Sequence, residues 1–429
     1  MKHFLDLGIF SNTQKTTFNT AGNDLTPGVK TFYSKRLIKN AKPNLIYDQF
    51  GDKRPIPKNG GKTVEFRKFD PFTKALTQLS EGETPKGHKL NIQTVTATVG
   101  QYGDYVEISD MLEMTAIDNM LVEAADLLAD QAGLTLDTIT RDIVTAGTNK
   151  IFAPNVLADG TESAITSRAS VTTMSTLRPK DIRYAAARLK RVNAKPFNDS
   201  YVGIVHPDVE CDLTGNPDWI DVHKYADPTN IYRGEIGTLA GVRFVRSSEA
   251  KIIGPEDMLG IKGYARTVLN KAASQSADIY PEETFSTDQA TAINAAITGG
   301  NVYNIYVDGE EHTVLSVTGG EPGVCKITLD SAVTAEKGDI ICGTGAGATG
   351  AAVYCTMIIG KNAYGVTEIE GGGLEHIVKQ LGSAGSADPL NQRATTGWKA
   401  TKTAERLTEA YMVRIEHSSA EFGMEAVSN

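Results

Sequence analysis

The 429-residue chain is poor in several residue types, and each shortage excludes something. Its four cysteines (Cys211, Cys325, Cys342, Cys355) form no C-x-x-C pair and no metal-type spacing. So few thiols in so long a chain fit a reducing interior and argue against structural disulfides. Seven histidines are scattered without an H-x-x-x-H or H-E-x-x-H, which speaks against a sequence-local zinc site. Aromatics reach only 7%, which is low for a protein that stacks bases or sugars. No apolar run approaches the roughly 20 residues that a bilayer demands, and the best, 351–360, has about half that length. Asp6 interrupts the only apolar stretch near the start, so no signal peptide is visible. The expectation is a soluble protein made in a cytoplasm.

Positive charge is also short. Forty-three Lys and Arg stand against 52 Asp and Glu, a net −9, which argues against nucleic-acid binding as the main role. The total hides an asymmetry, because residues 1–58 hold ten basic residues against four Asp. That start carries +6, leaving −15 for the rest. A basic arm on an acidic body suits self-association or a place near polyanion, although a solvated tail has the same composition.

What is present suits a folded protein of several domains, at roughly 100–200 residues per domain. After an arm-like start come Tyr47-Asp-Gln-Phe-Gly51 and the turn cluster Pro55-Ile-Pro-Lys-Asn-Gly-Gly61. Two strand-like runs follow, 63–69 and 90–102, separated by twenty residues without a convincing period. Loops that long are uncommon in compact domains unless they serve a purpose. A two-stranded ribbon with polar residues on both faces cannot stand alone in water. The economical solution is a projecting β-arm that gains its burial from a neighbouring subunit.

Ile117, Leu121, Ala124, Leu128, Ala132, Leu136, Ile139 and Ile143 then step by three or four, predicting one long helix. Glu123, Asp126, Asp130, Asp137 and Asp142 fall mostly outside that stripe. Asp118 offers a start signal and Gly147 a stop. Pro179, Ile182, Ala185, Leu189 and Val192 predict a second helix. Tyr201–Val205 and Gly241–Arg246 read as strands of one domain. Short strands over 302–307, 312–317, 324–329 and 339–342, with turn signals at Asp308-Gly309 and 319–323, predict a small all-β module. A buried strand over 352–359, the Gly-rich 371–373 and two closing strands near 398–407 and 411–418 complete the chain.

Candidate chemistry weighs little. Gly345-x-Gly347-x-x-Gly350, with Glu370 twenty residues on, matches the dinucleotide fingerprint superficially, but the following residues predict a strand where a helix is required. A flexible junction is the better reading. His206-Pro-Asp208 is a turn with a helix cap rather than an acid–base pair. Asp208, Asp212, Asp218 and Asp221 match a calcium loop only loosely. No P-loop, kinase or G-x-S-x-G signature occurs, so no catalytic residue, cofactor or metal is expected.

Several stretches resemble the major capsid proteins of tailed bacteriophages, specifically the Enquatrovirus-type branch. They are Leu45-Ile-Tyr-Asp-Gln-Phe-Gly51, Lys62-Thr-Val-Glu-Phe-Arg-Lys-Phe69, Gln101-Tyr-Gly-Asp-Tyr105, 131–141 and Gly241-Val-Arg-Phe-Val245. The strongest are 363–373, Asp388-Pro-Leu-Asn-Gln-Arg393 and Gly397-Trp-Lys399, and together these stretches run in family order across most of 30–418.

The resemblance implies an α+β Hong Kong 97-type capsid fold. Its parts would be an N-terminal arm (1–58), an extended β-hairpin loop (59–108) and a peripheral domain with the spine helix (109–197). An axial domain (198–283 and 351–429) would follow, with the β-rich module (284–350) inserted in it. The function implied is structural: pentamers and hexamers closing an icosahedral head around phage DNA in the virion. Its partners would be other copies, portal and scaffolding proteins, and a decoration protein, with no membrane. Candidates for inter-subunit contact are Glu65, Arg67, Lys68, Phe69, Phe72, Lys74, Leu79, Glu81, Lys86 and Tyr102. The alternatives are a nanocompartment shell of the same fold, which the 363–399 match disfavours, and a soluble enzyme, which no feature supports.

Overall fold

The computed structural model describes residues 45–429 except 56–61, 116–119, 158, 217–218, 220–236, 368–373, 381–389, 391 and scattered positions within 70–88. The arm before Leu45, the start signal at Asp118, the carboxylates Asp218 and Asp221, and the Gly-rich 371–373 therefore lie outside the described residues. The chain divides into two compact units, 1–140 with 365–405 and 141–364 with 406–429.

In the first unit the expected long helix is present as Met120–Thr145, 26 residues whose last turn belongs to the second unit. At 1.5 Å per residue it is a rod of roughly 40 Å. Leu128, Ala129, Ala132 and Leu136 pack with Leu45, Leu374, Trp398 and Ala400 into one core. Its buried arc is wider than the apolar stripe predicts. Asp137, expected mostly outside that stripe, is fully buried, and so is Thr140. Both serve the short 3₁₀ turn Tyr47–Phe50: Asp137 Oδ1 accepts from Tyr47 N–H at 2.8 Å, and the Thr140 hydroxyl donates to Asp48 Oδ1 at 2.7 Å. A helix residue facing a polar turn can be buried and hydrogen-bonded together, which the stripe alone does not reveal.

The strand expected over 90–102 is two strands. Ile92–Thr98 pairs antiparallel with Thr63–Phe69, from Thr63 opposite Thr98 to Phe69 opposite Ile92. Gly100–Ser109 belongs instead to a three-stranded sheet, where its ten residues pair with Arg393–Lys402. Leu374–Lys379 completes that sheet on the other side of Arg393–Lys402. The ribbon closes at Val99, whose N–H donates to the Lys62 carbonyl. A change of partner at one residue leaves no trace in alternation, so the sequence shows one run.

The second unit holds a sheet in the order Lys150–Phe152, Met412–His417, Val353–Ile359, Tyr201–Val205, Val242–Arg246, Thr238–Leu239. Val353–Ile359, Tyr201–Val205 and Met412–His417 are buried throughout, so both faces are covered. The second expected helix, Pro179–Arg191, contributes Ile182, Ala185, Ala186 and Leu189 to the core of this sheet. His206 caps the helix Pro207–Gly215, as the Pro-Asp context suggests, by accepting the Asp208 N–H at 3.3 Å on Nδ1.

The four strands expected between 302 and 342 form, together with Arg266–Val268 and Ala273–Ile279, a six-stranded sheet. Its two outer strands meet. Leu269 bridges Pro281, Glu282 N–H donates to the Val268 carbonyl and Asn270 N–H to that of Tyr280, closing the sheet into a barrel. Ile305, Val307, Val314, Val317, Ile327 and Leu329 fill its core. The stretch 284–350 is not all-β, because Thr287–Thr298 is a helix. Its N-terminus carries a reciprocal capping box, Ser286 with Gln289. Ala and Thr fill most of its turns and only Ala290 and Ile293 are buried, so no apolar stripe announces it.

The junction at Gly345–Gly350 is tightly packed where flexibility is expected. A Cβ on Gly347 would stand 2.2 Å from the Val171 carbonyl oxygen, and one on Gly343 only 1.9 Å from that of Glu256. The next element is the strand Val353–Ile359 rather than a phosphate-binding helix.

Candidate assembly surface

The ribbon Thr63–Phe69/Ile92–Thr98 is two-faced, and its burial fades along its length. On one face Val64, Phe66 and Ala97 are buried, Val95 and Lys68 half-buried, and Gln93 exposed. Phe66 lies against Gly365, where a Cβ would meet its ring at 2.3 Å. The opposite face, Thr63, Glu65, Arg67, Ile92, Thr94, Thr96 and Thr98, is exposed throughout. One end is thus rooted in the unit's core, and the other presents both faces to its surroundings.

Apolar side chains accumulate toward that outer end. Phe72 is 58% exposed, Leu76 85%, Leu90 60% and Ile92 49%. Four large apolar side chains exposed within 21 residues of chain are far from the single scattered ones that are ordinary on a surface. Of the contact candidates, Glu65, Arg67, Phe72 and Lys74 are exposed and Lys68 is half-buried. Phe69 ends its strand. Leu79, Glu81 and Lys86 lie outside the described residues. Tyr102 is not with the others: it sits on the three-stranded sheet opposite Ala400.

That sheet is a second candidate surface. Tyr105 is 66% exposed, and Val106 and Ile377 also reach solvent. A groove of about 520 Å³ runs among Tyr105, Glu107, Ile377, Lys379, Arg393 and Trp398. Arg393 pairs with Glu107 at 3.0 Å across the strands. The groove exists because Gly397 faces Tyr105, where a Cβ would come within 2.7 Å of the tyrosine's own Cβ. Beneath it, the Trp398 indole N–H donates to Gln131 Oε1 at 3.1 Å, and the Gln131 amide donates to Asp104 Oδ2 at 2.7 Å. The Gln131 bond and the Tyr105 N–H hold the Asp104 carboxyl below its usual range. Three stretches that carry the sequence resemblance, 101–105, 131–141 and 397–399, therefore meet in one hydrogen-bonded chain. The sequence offered these residues without a role, since they are about 27 and 267 positions apart.

In the second unit a buried ionic group holds the closing strand. Arg168 grips Glu416 with two bonds of 2.9 Å, and Arg414 adds one of 2.7 Å. Burial opposes the Glu416 charge, but the two guanidiniums hold its carboxyl below the usual range. Cys325, Cys342 and Cys355 are buried free thiols, and burial raises each above its ordinary value. Among the described residues no group of three His, Cys, Asp or Glu is placed to hold a metal ion. No described helix is long and apolar enough to cross a membrane.

A family model described as phage capsid protein matches residues 57–280, more than half of the chain. The chain belongs to that family. A comparison with curated proteins found no match. Among solved structures, the capsid of cyanophage P-SCSP1u is similar with a TM-score of 0.50 at 11% identity, over 87% of this chain and 88% of that one. The head of Helicobacter pylori bacteriophage KHP40 follows at 0.48 and 11%, over 85% and 87%. At such identity the cyanophage likeness concerns the fold, and it bears out the mixed α+β Hong Kong 97-type capsid architecture. The family makes this phage capsid protein a structural component of the virion shell.

Proposed function

We propose that the chain is the repeating shell subunit of a tailed phage of the Enquatrovirus-type branch, copies of which close an icosahedral head around DNA as pentamers and hexamers. The observation that carries this reading is the ribbon with its exposed Phe72, Leu76, Leu90 and Ile92. Their apolar surface needs a cover, and the economical cover in a closed shell is a neighbouring copy. Glu65, Arg67, Lys68, Phe69, Phe72, Lys74, Leu79, Glu81 and Lys86 would line that overlap, and Tyr102 would flank it from the adjoining sheet. The segment 1–58 acts as the arm, 59–108 as the lapping loop and 109–197 as the peripheral part with the spine helix. The rest forms the axial part with its inserted barrel. Scaffolding, portal and decoration proteins complete the head, the chain being made in the host cytoplasm. The role is geometric and requires no catalysis.

Deleting 70–89 tests the reading. The shortened subunit keeps its circular dichroism spectrum, because Val64, Phe66 and Ala97 still root the ribbon, but it sediments as an unassembled species under conditions that assemble the full chain. Normal shells from the shortened chain would refute it.

A further inference from the structure

The solvent face of the helix Pro179–Arg191 is basic. Its inner face, Ile182, Ala185, Ala186 and Leu189, packs on the sheet of the second unit. The residues it exposes are Lys180, Arg183, Tyr184, Ala187, Lys190 and Arg191, with Arg188 half-buried beside them. From 178 to 195 the sequence holds seven Lys and Arg against one acid, Asp181, in a chain of net −9. Asp181 is buried and pairs with Arg178 at 3.3 Å, so the helix turns no carboxylate outward.

Two ordinary explanations cover part of this. Glu162 pairs with Arg178 at 2.9 Å and with Lys180 at 2.8 Å, which balances the first turn. Cations in a last turn suit the helix dipole, which favours Arg188, Lys190 and Arg191 there. Neither accounts for Arg183, nor for Lys195 just past the helix, whose carbonyl accepts the N–H of exposed Lys361 at 2.7 Å. Arg188 donates to the Lys150 carbonyl at 3.2 Å, which sets another exposed lysine next to the helix. Arg183, Lys190, Arg191, Lys195 and Lys361 form no ion pair with a described residue.

An acidic chain thus gathers cations in one place and leaves them unpaired, and such a surface attracts a dense polyanion. Arg183 to Arg191 spans about 12 Å at 1.5 Å per residue. Over that length a duplex presents about seven phosphates, at one charge per ~1.7 Å of axis. Even an extended, wholly acidic peptide offers only one charge per ~3.3 Å, half that density. Tyr184, 61% exposed, adds a hydroxyl donor of the kind that contacts phosphate. Ala187, between the cations, lets the helix lie close.

We propose that this helix face is a contact surface for the phosphate backbone of duplex DNA, held without base readout. The proposal rests on the shell reading above, which puts a duplex beside the chain. It names the face that meets it. The contact is local, so it stands with a negative total, and the scarcity of aromatics suits a surface that reads no bases.

Fluorescence anisotropy of a short labelled duplex, titrated with the dilute, unassembled full-length chain at roughly 50 to 200 mM salt, is the test. Wild-type affinity should fall steeply as salt rises. Arg183→Gln, Lys190→Gln and Arg191→Gln combined, with native circular dichroism, should weaken binding on the order of tenfold at the low-salt end. The slope of log affinity against log salt should flatten by about 2–3. Lys262→Gln, Lys271→Gln and Lys337→Gln combined remove the same charge from exposed positions around the barrel and should leave binding near wild type. Unchanged affinity and slope in the helix variant, or an equal loss in the barrel variant, would overturn the assignment. So would polyglutamate displacing the duplex at equal charge, which would make the partner an acidic polypeptide. Sedimentation separates this claim from the shell reading, because the helix variant should assemble as the wild type does. A selective loss of assembly would mark the face as a contact between copies and overturn the proposal.

Discussion

At the scale of single residues, two buried groups titrate in opposite senses. The His417 imidazole is enclosed. Its Nδ1 donates to the Ser418 carbonyl at 3.1 Å, and its Nε2 accepts from the Thr356 hydroxyl at 2.8 Å. Burial pushes its pKa down to about 4, against the neighbouring Glu416 charge. The unfolded chain takes up that proton near pH 6.5, so stability is full above that value and falls as pH drops toward 4. The expected loss is about 3 kcal/mol. His417→Gln should flatten this acid slope in urea titrations at pH 7 and 4.5, and an unchanged slope would contradict the assignment. Asp137 runs the other way. Its folded pKa of about 7 exceeds the unfolded one, so its contribution is full below about pH 4 and is lost as pH rises through 7. Asp137→Asn should therefore remove a decline in melting temperature between pH 5 and 8. These groups were the least legible in the sequence: Asp137 reads as one more acid of a solvated helix face, and nothing marks His417 as enclosed. Their partners lie at the other end of the chain or on a different strand.

At the scale of elements, legibility followed burial pattern. Met120–Thr145 was readable because its apolar residues keep the helical step, and the buried strands Tyr201–Val205 and Val353–Ile359 because their runs are short and continuous. The helix Thr287–Thr298 was not, since only Ala290 and Ile293 of it are buried. The ribbon was legible as a pair of strands, but its one-sided rooting was not. Phe66 looks like any alternating residue until Gly365, some 300 positions away, opens a place for its ring. Gly365→Ala sets a Cβ 2.3 Å from that ring, and overpacking of this kind costs about 1–3 kcal/mol. A lowered urea midpoint with an unchanged slope is the expected result. A wild-type midpoint would mean that Phe66 does not root the ribbon there.

For the whole molecule, family membership and fold agree with what the ordered motifs along the sequence implied, and composition had already narrowed the field. The asymmetry of +6 over residues 1–58 against −15 over the remainder suits a chain that meets other copies of itself. Neither charge nor motif fixes how many copies meet. The central claim is that this chain builds a closed shell. Negative-stain electron microscopy of the expressed full-length chain tests that most directly. The account predicts closed, uniform particles resolved into rings of five and six. A chain that stays monomeric across the salt, pH and concentration ranges tested would contradict it.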